Sequence, residues 1–361
     1  MSKDGKIVLL TVSILLMIGV VMIYSSSAMY ADGRYGDSLY FVKRHLLYLV
    51  LGAGAAVLSM SQPLKRIESA SRSIMGICLL LLVAVLFPGV GSVVGGARRW
   101  IRFLGIGFQP SEFAKLGLII YLAGLASRRG YALRDLRYGF LPALTAIMVT
   151  AGLVLLEPDM GTAVAVGFIG LVVLFSSGIK VKHLAFTVAG ALPVLVAAVL
   201  YKPYRVRRLL AFMDPWGDAR GAGFQVIQSF IALGSGGFYG VGLGESRQKL
   251  FYLPESHTDF IFSIIGEELG FLGASSVLIL FGTLVWFSMR IAFRSGQMFA
   301  SRLALGISVM IAFEAIVNIG VSAGMFPTKG LPLPFISYGG SSLVAHMAAI
   351  GLLLNISRGE E

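Results

Sequence analysis

Ten apolar runs, each near the length of a membrane crossing, constrain this chain more than any motif in it. They fall at roughly 7–25, 45–60, 74–90, 112–127, 139–156, 161–178, 183–201, 260–287, 303–325 and 341–356. A bilayer crossing takes about 17 to 25 apolar residues, fewer where protein covers the ends. Backbone in hydrocarbon must satisfy its own hydrogen bonds, so continuous runs of this kind cross as helices and not as barrel strands. The 361 residues are 57% hydrophobic and 13% charged, with mean hydropathy +0.84. A soluble domain carries about 25% charge. The expected fold is an all-α polytopic membrane protein, a single integral membrane domain over 1–361 with about ten transmembrane helices.

The net charge of +12 lies in short segments between apolar runs, which suits anionic lipid headgroups and argues against nucleic acid. The single cysteine, Cys78, excludes an intramolecular disulfide and a cysteine metal site. The first apolar run is too long for a signal sequence and has no small-residue cleavage site, so it reads as a retained span. Ten spans place both termini on one side. Lys65, Arg66, Arg72, Arg128, Arg129, Arg134, Arg137, Lys180, Lys182, Arg290, Arg294 and Arg302 share the side of the termini, which the positive-inside bias makes cytoplasmic. The segment 202–258 puts seven more basic residues outside, but long segments weigh little in that bias.

That segment, between spans seven and eight, is expected to be a large external loop. Tyr204–Leu210 is a basic amphipathic piece suited to headgroups, and Gln225–Leu233 suits a short helix. The glycine run 234–244 lacks the strand, the helix and the Lys-Ser/Thr of a phosphate loop, so its glycines are expected to allow a tight fold against the membrane surface.

Polar residues at the edges of the runs carry the chemistry. Pro254-Glu255-Ser256-His257-Thr258-Asp259 stands where water meets membrane. A carboxylate there can be partly desolvated and become a usable base, or it can simply cap the following helix. Glu112 and Lys115, three apart at a proline-marked helix start, either form an ion pair or leave the lysine facing a cavity and an anion. Glu157-Pro158-Asp159 forms a short turn carrying two acids. Glu267, Glu268 and Glu314 lie at helix depth, where ionisable groups need a partner. Arg98 and Arg99 beside Trp100 suit an interfacial belt or a bound phosphate. The prolines and glycines of 327–342 forbid a continuous helix, so its hydroxyls and N–H groups are candidates to line a polar site.

These motifs resemble those of the SEDS family (shape, elongation, division and sporulation), which includes FtsW and RodA. The carriers are GARRWI at 96–101, QPSEFAKL at 109–116, EPDMGTA at 157–163, GFQVIQSFIALGSGGFYGVGLG at 223–244, LPESHTDFIFSIIGEELG at 253–270 and KGLPLPFISYGGSS at 329–342. Thr328-Lys329 and the run 244–260 look more like the FtsW and sporulation branch. Glu157 departs from the Gln that many relatives carry before Pro-Asp.

The resemblance implies a ten-helix SEDS fold and an inverting peptidoglycan glycosyltransferase in the bacterial inner membrane, with its active face external. The enzyme would polymerise lipid II into β-1,4 glycan strands and release undecaprenyl diphosphate during septal wall synthesis. The family's essential aspartate falls on Asp259, the general base for the acceptor hydroxyl. Lys115 and Arg99 would stabilise diphosphate charge, and Glu112 and Asp159 would orient Lys115 or a divalent ion, Mg2+ or Mn2+. Arg98, His257, Lys329, Ser337, Tyr338 and Ser341 complete the candidate substrate contacts. Expected partners are lipid II, the undecaprenyl-diphosphate-linked glycan, a class B penicillin-binding protein, other divisome proteins and membrane lipids. The competing readings are a lipid II flippase and a non-catalytic divisome scaffold.

Overall fold

Each of the ten apolar runs falls mainly in an α-helix of the computed structural model, which describes residues 1–94, 96–103, 105–250, 253–328 and 330–359, although the run at 74–90 outlasts its helix by four residues and that at 303–325 by three. The order is α1 (Lys3–Tyr35), α2 (Tyr40–Ser61), α3 (Leu64–Leu86), α4 (Pro110–Arg129), α5 (Leu141–Leu156), α6 (Met160–Ser176), α7 (Val181–Leu200), α8 (Pro203–Met213), α9 (Phe224–Ser235), α10 (Ile261–Arg294), α11 (Met298–Ser322) and α12 (Gly340–Arg358). Eight of the ten elements are long and apolar enough to cross a membrane by length and composition. The other two are α4, which carries Glu112, Lys115, Arg128 and Arg129, and α6, which has 17 residues. The charges of α4 are tolerable because most of the helix is buried among its neighbours.

Helix α3 starts ten residues before the apolar run at 74 and ends at Leu86, ahead of Pro88. Ile67, Ser71, Met75, Cys78, Leu82 and Val85 recur every three or four residues and keep one face buried along its length. Residues 87–109 hold an antiparallel sheet that no apolar run announces, in the order β1 (Gly91–Val94), β2 (Ala97–Phe103), β3 (Ile106–Phe108). At the other end of the bundle Arg294 and Arg290 close on Asp4 at 3.0 and 3.4 Å, and the Ser2 N–H reaches the Ser357 carbonyl. The two chain ends therefore meet on the face opposite the sheet.

The segment 202–258 is not one loop. It contains α8 and α9, in agreement with the amphipathic and short-helix patterns, and α9 packs one face, with Val226, Ile227, Ser229 and Ala232, against the bundle. Ser229 on α9 donates to the Ser322 carbonyl at 2.6 Å, and its oxygen lies 2.6 Å from the Ser263 hydroxyl. The glycine run folds tightly, as its glycines lead one to expect, and it does so against α10 while Phe238, Tyr239 and Leu243 stay exposed. Helix α10 is broken at Gly270, whose φ is 65°. Into that break runs the segment 236–242. The N–H groups of Val241 and Gly242 donate to the carbonyls of Glu267 and Glu268, and those of Phe271 and Leu272 donate to Gly237 and Phe238. The orphaned groups of the broken helix are thus paired within protein, as backbone at membrane depth must be. Gly240, at φ 85°, lies so close to the Glu268 carbonyl that a Cβ would collide with it.

Glu267 and Glu268, adjacent acids at helix depth, staple the next stretch of the same segment. Glu268 accepts from Lys249 at 2.8 Å and from Ser25 at 2.6 Å. Glu267 accepts from the Ser246 hydroxyl and from the Arg247 N–H. The nearby cation that two such acids require is Lys249.

Candidate active site

Asp259 sits in a turn before α10 whose main chain is held residue by residue. The carbonyl of His257 accepts from the Tyr338 N–H at 2.9 Å, that of Thr258 from the Ser337 hydroxyl at 2.6 Å, and that of Asp259 from the Asn318 amide at 3.0 Å. Asn318 also donates to the Leu331 carbonyl at 2.8 Å. The proline-rich segment 327–339 and the Asp259 turn are therefore bonded side by side. Two residues in this pair of segments hold the left-handed conformation without being glycine, Glu255 at φ 59° and Phe335 at φ 67°. Such strain persists where the surroundings fix the backbone, and it gathers at functional sites.

All these bonds go to main-chain carbonyls; among the described residues none hydrogen-bonds the Asp259 carboxylate. Burial pushes the carboxyl up to about 7. Glu255 and Asp159 add to that rise, and the guanidiniums of Arg208 and Arg99 oppose it. A carboxyl poised near neutrality, unbonded and beside cations, has the properties of a general base.

Arg99 reaches from β2 to the turn between α5 and α6. It donates to the carbonyls of Glu157 at 3.0 Å and Pro158 at 2.6 Å, and lies 3.6 Å from the Asp159 carboxylate. Asp159 caps α6 by accepting from the Thr162 N–H at 3.1 Å. Glu157 beside it is fully buried with both carboxylate oxygens unpartnered. Burial, with the Asp159 charge, pushes that carboxyl up to about 8.

The other sequence candidates divide by what they touch. His257 is buried in an aromatic box of Tyr30, Phe41 and Tyr338, with centroids 4.6 to 5.9 Å away, and burial lowers its tendency to ionise. Arg98 donates to the Leu86 carbonyl at the end of α3. Ser341 accepts from the Gln109 N–H and donates to the Gly107 carbonyl, fixing the entry to α4 against α12. Lys329 lies outside the described residues. Lys115 does not face a cavity. Its ammonium is fully buried, 3.0 Å from Glu112 and 2.5 Å from Glu314, so the ion-pair reading of that motif is the one realised.

Glu255 and Glu314, both singled out in the sequence, bear on the site, and so do three residues that the sequence candidates omit: Arg208, His346 and Asn318. Glu314 and His346 are ionisable groups inside apolar runs, a signal the sequence does contain. Glu112, Glu314 and His346 bring three donor atoms within 4.8 Å of one another. Lys115 already serves as the cation of both carboxylates, so these donors do not fit a divalent ion while it stays there.

An all-α polytopic membrane protein, with a candidate site at the helix ends, is the class that this architecture defines. The FtsW/RodA/SpoVE cell cycle protein model matches residues 6–361, and the chain belongs to that family. It is 45% identical over 359 residues to the probable peptidoglycan glycosyltransferase FtsW of Trichlorobacter lovleyi, covering 99% of this chain and 94% of that one. It is 43% identical over 357 residues to the stage V sporulation protein E of Bacillus subtilis, covering 99% and 97%. Among solved structures it is similar to a chain of a peptidoglycan synthase complex that coordinates polymerization and crosslinking, with TM-score 0.79 and 34% identity over 98% and 97% of the two chains. It is also similar to the rod shape determining protein RodA of Thermus thermophilus, with TM-score 0.73 and 29% identity over 98% and 96%.

Proposed function

We propose that this protein is a membrane peptidoglycan glycosyltransferase of septal wall synthesis that polymerises lipid II, with Asp259 as its general base. The observation that carries the reading is the Asp259 turn, fixed through three successive carbonyls while its carboxylate is left unbonded. Asp259 takes the proton of the acceptor sugar 4-hydroxyl as that oxygen attacks the anomeric carbon of the donor strand. The carbon–oxygen bond to the diphosphate breaks on the opposite face, so the configuration inverts to β, and undecaprenyl diphosphate leaves with the bonding pair. Developing diphosphate charge needs cations. Lys115 is committed to buried carboxylates, so Arg208, exposed on α8, and Arg99 take that role. Asp159 holds Arg99 and the α6 N-terminus in place.

The site end faces the external side of the cytoplasmic membrane, both termini are cytoplasmic, and a class B penicillin-binding protein crosslinks the product. The similar chain in a peptidoglycan synthase complex that coordinates polymerization and crosslinking supports a crosslinking partner. The flippase reading expects its charges at the bilayer middle. Here Glu267 and Glu268 staple a loop and Glu314 pairs with Lys115, which leaves the Asp259 edge as the site of chemistry. Purified protein with its class B partner should convert lipid II to a ladder of glycan strands. Lipid II scrambling in vesicles without such a ladder would instead establish the transporter.

A further inference from the structure

Three buried helices meet one to two turns beneath the Asp259 turn, and where they meet they enclose four ionisable side chains: Glu112 and Lys115 on α4, Glu314 on α11, and His346 on α12. The side chains are at most 3% exposed, so their charges must balance among themselves. Two acids and one ammonium leave one negative charge uncompensated.

The imidazole shows where the balance comes from. His346 Nδ1 lies 2.7 Å from the main-chain carbonyl of Ser342, with the Ser342 hydroxyl farther off at 3.2 Å. A carbonyl oxygen only accepts, so Nδ1 carries a hydrogen. In a neutral ring Nε2 would then hold only a lone pair. Yet Nε2 is 3.0 Å from Glu314 Oε2, an ion-pair distance, and among the described residues neither atom makes a hydrogen bond. A lone pair facing a carboxylate at that separation in a dry interior is repelled, whereas a proton on Nε2 turns the contact into an ion pair. The charged groups that face His346 are Glu314 from α11 and Lys115 and Glu112 from α4.

We propose that Glu314 and His346 share one bound proton that brings the Glu112–Lys115–Glu314–His346 cluster to zero net charge, and that both act as positioning residues for the Asp259 turn. The second part rests on the reading of Asp259 as the base. The link is α11. Asn318 is one turn from Glu314 on the same face, and its amide holds the carbonyls of Asp259 and Leu331. Phe335 of the proline-rich segment lies edge-on to the His346 ring at 5.6 Å, so the cluster also supports the segment bonded to the Asp259 turn. A divalent ion in place of the proton would use the same three donors, with Nδ1 bonded as metal-binding histidines commonly are. It would also have to lie beside the Lys115 ammonium and would leave the cluster positive.

The chain has four histidines, so selective 15N labelling in detergent resolves the ring states, with His346 assigned by the signals lost in His346→Leu. The expected spectrum shows His346 Nε2 bearing or sharing a proton, unaltered by chelator or by added Mg2+ or Mn2+. A bare Nε2 lone pair, or a stoichiometric metal that shifts the signal, overturns the proton assignment, and neither result depends on activity. Melting in detergent supplies the charge count. His346→Leu strands a buried negative charge and should melt well below wild type, and adding Glu314→Gln restores neutrality and should raise melting again. A double variant that melts no higher than the single contradicts the shared charge. For positioning, lipid II turnover by His346→Leu should fall about tenfold in kcat with KM unchanged, and recover in part in the double variant. Unchanged kcat in the single variant would overturn the positioning role while leaving the polymerase reading intact.

Discussion

Asn318 donates its side-chain amide to the main-chain carbonyl of Asp259 at 3.0 Å, and through that bond a buried helix sets the height of the Asp259 turn. Leaving two carbonyls without their donor costs about 1–3 kcal/mol each where water cannot replace it. Asn318→Ala should therefore cut polymerisation at least tenfold, while Asn318→Gln, which keeps a donor on a longer arm, should retain more. Gel quantification of glycan strands checks the order of the two variants.

Asp259 titrates from the wrong side for an ordinary carboxylate, and this gives the pH dependence its sign. Its carboxyl is pushed up to about 7, so it is protonated below that pH and can accept a proton only above it. Turnover should rise with pH through about 7 and fall roughly tenfold per unit below it. A rate flat from pH 5 to pH 8 would show that no such group limits the reaction.

Glu157 makes an opposite contribution to stability. An acid raised from 4.5 to about 8 is protonated when folded and ionised when unfolded over the interval between. The folded state then binds the extra proton, so its stabilisation is full below about pH 4.5 and lost as pH rises through 8. Each unit of such a shift is worth about 1.4 kcal/mol. Glu157→Gln should flatten the fall of melting temperature with pH in detergent and leave polymerisation near the wild-type level.

Lys249 ties the loop after the glycine run to α10. Its side chain is 6% exposed and that of its partner Glu268 is wholly buried, with 2.8 Å between them. Removing one partner of such a pair costs about 3–5 kcal/mol. Lys249→Met should lower the melting temperature and expose the segment 241–253 to protease, whereas Lys249→Arg should protect it. Equal protease resistance in Lys249→Met would show that the staple is not needed.

Much of the architecture and the place of the site are legible in the amino-acid sequence. The apolar runs fix the helices because hydrocarbon leaves a backbone no alternative, and the motif around Asp259 marks the site by placing acids at the water–membrane edge. The two roles open to Lys115, ion pair or anion site, are separated only by packing. Spacing shows that Glu112 can reach it, but only the fold brings Glu314 from 199 residues away. Arg208 is visible as part of a basic amphipathic helix, yet nothing local says that its charge bears on Asp259. The partner of the glycine run is hidden for the same reason. That partner is the break in α10 at Gly270, and a long-range pairing of two irregular segments has no periodicity to betray it.

The central claim is that the Asp259 carboxylate performs the proton transfer. The most direct measurement compares wild type with Asp259→Asn, each purified with the class B partner and given lipid II, with glycan products resolved on a gel. The account predicts a ladder from wild type and none from the variant, at equal melting temperature and equal partner binding. A ladder of equal intensity from Asp259→Asn would contradict it.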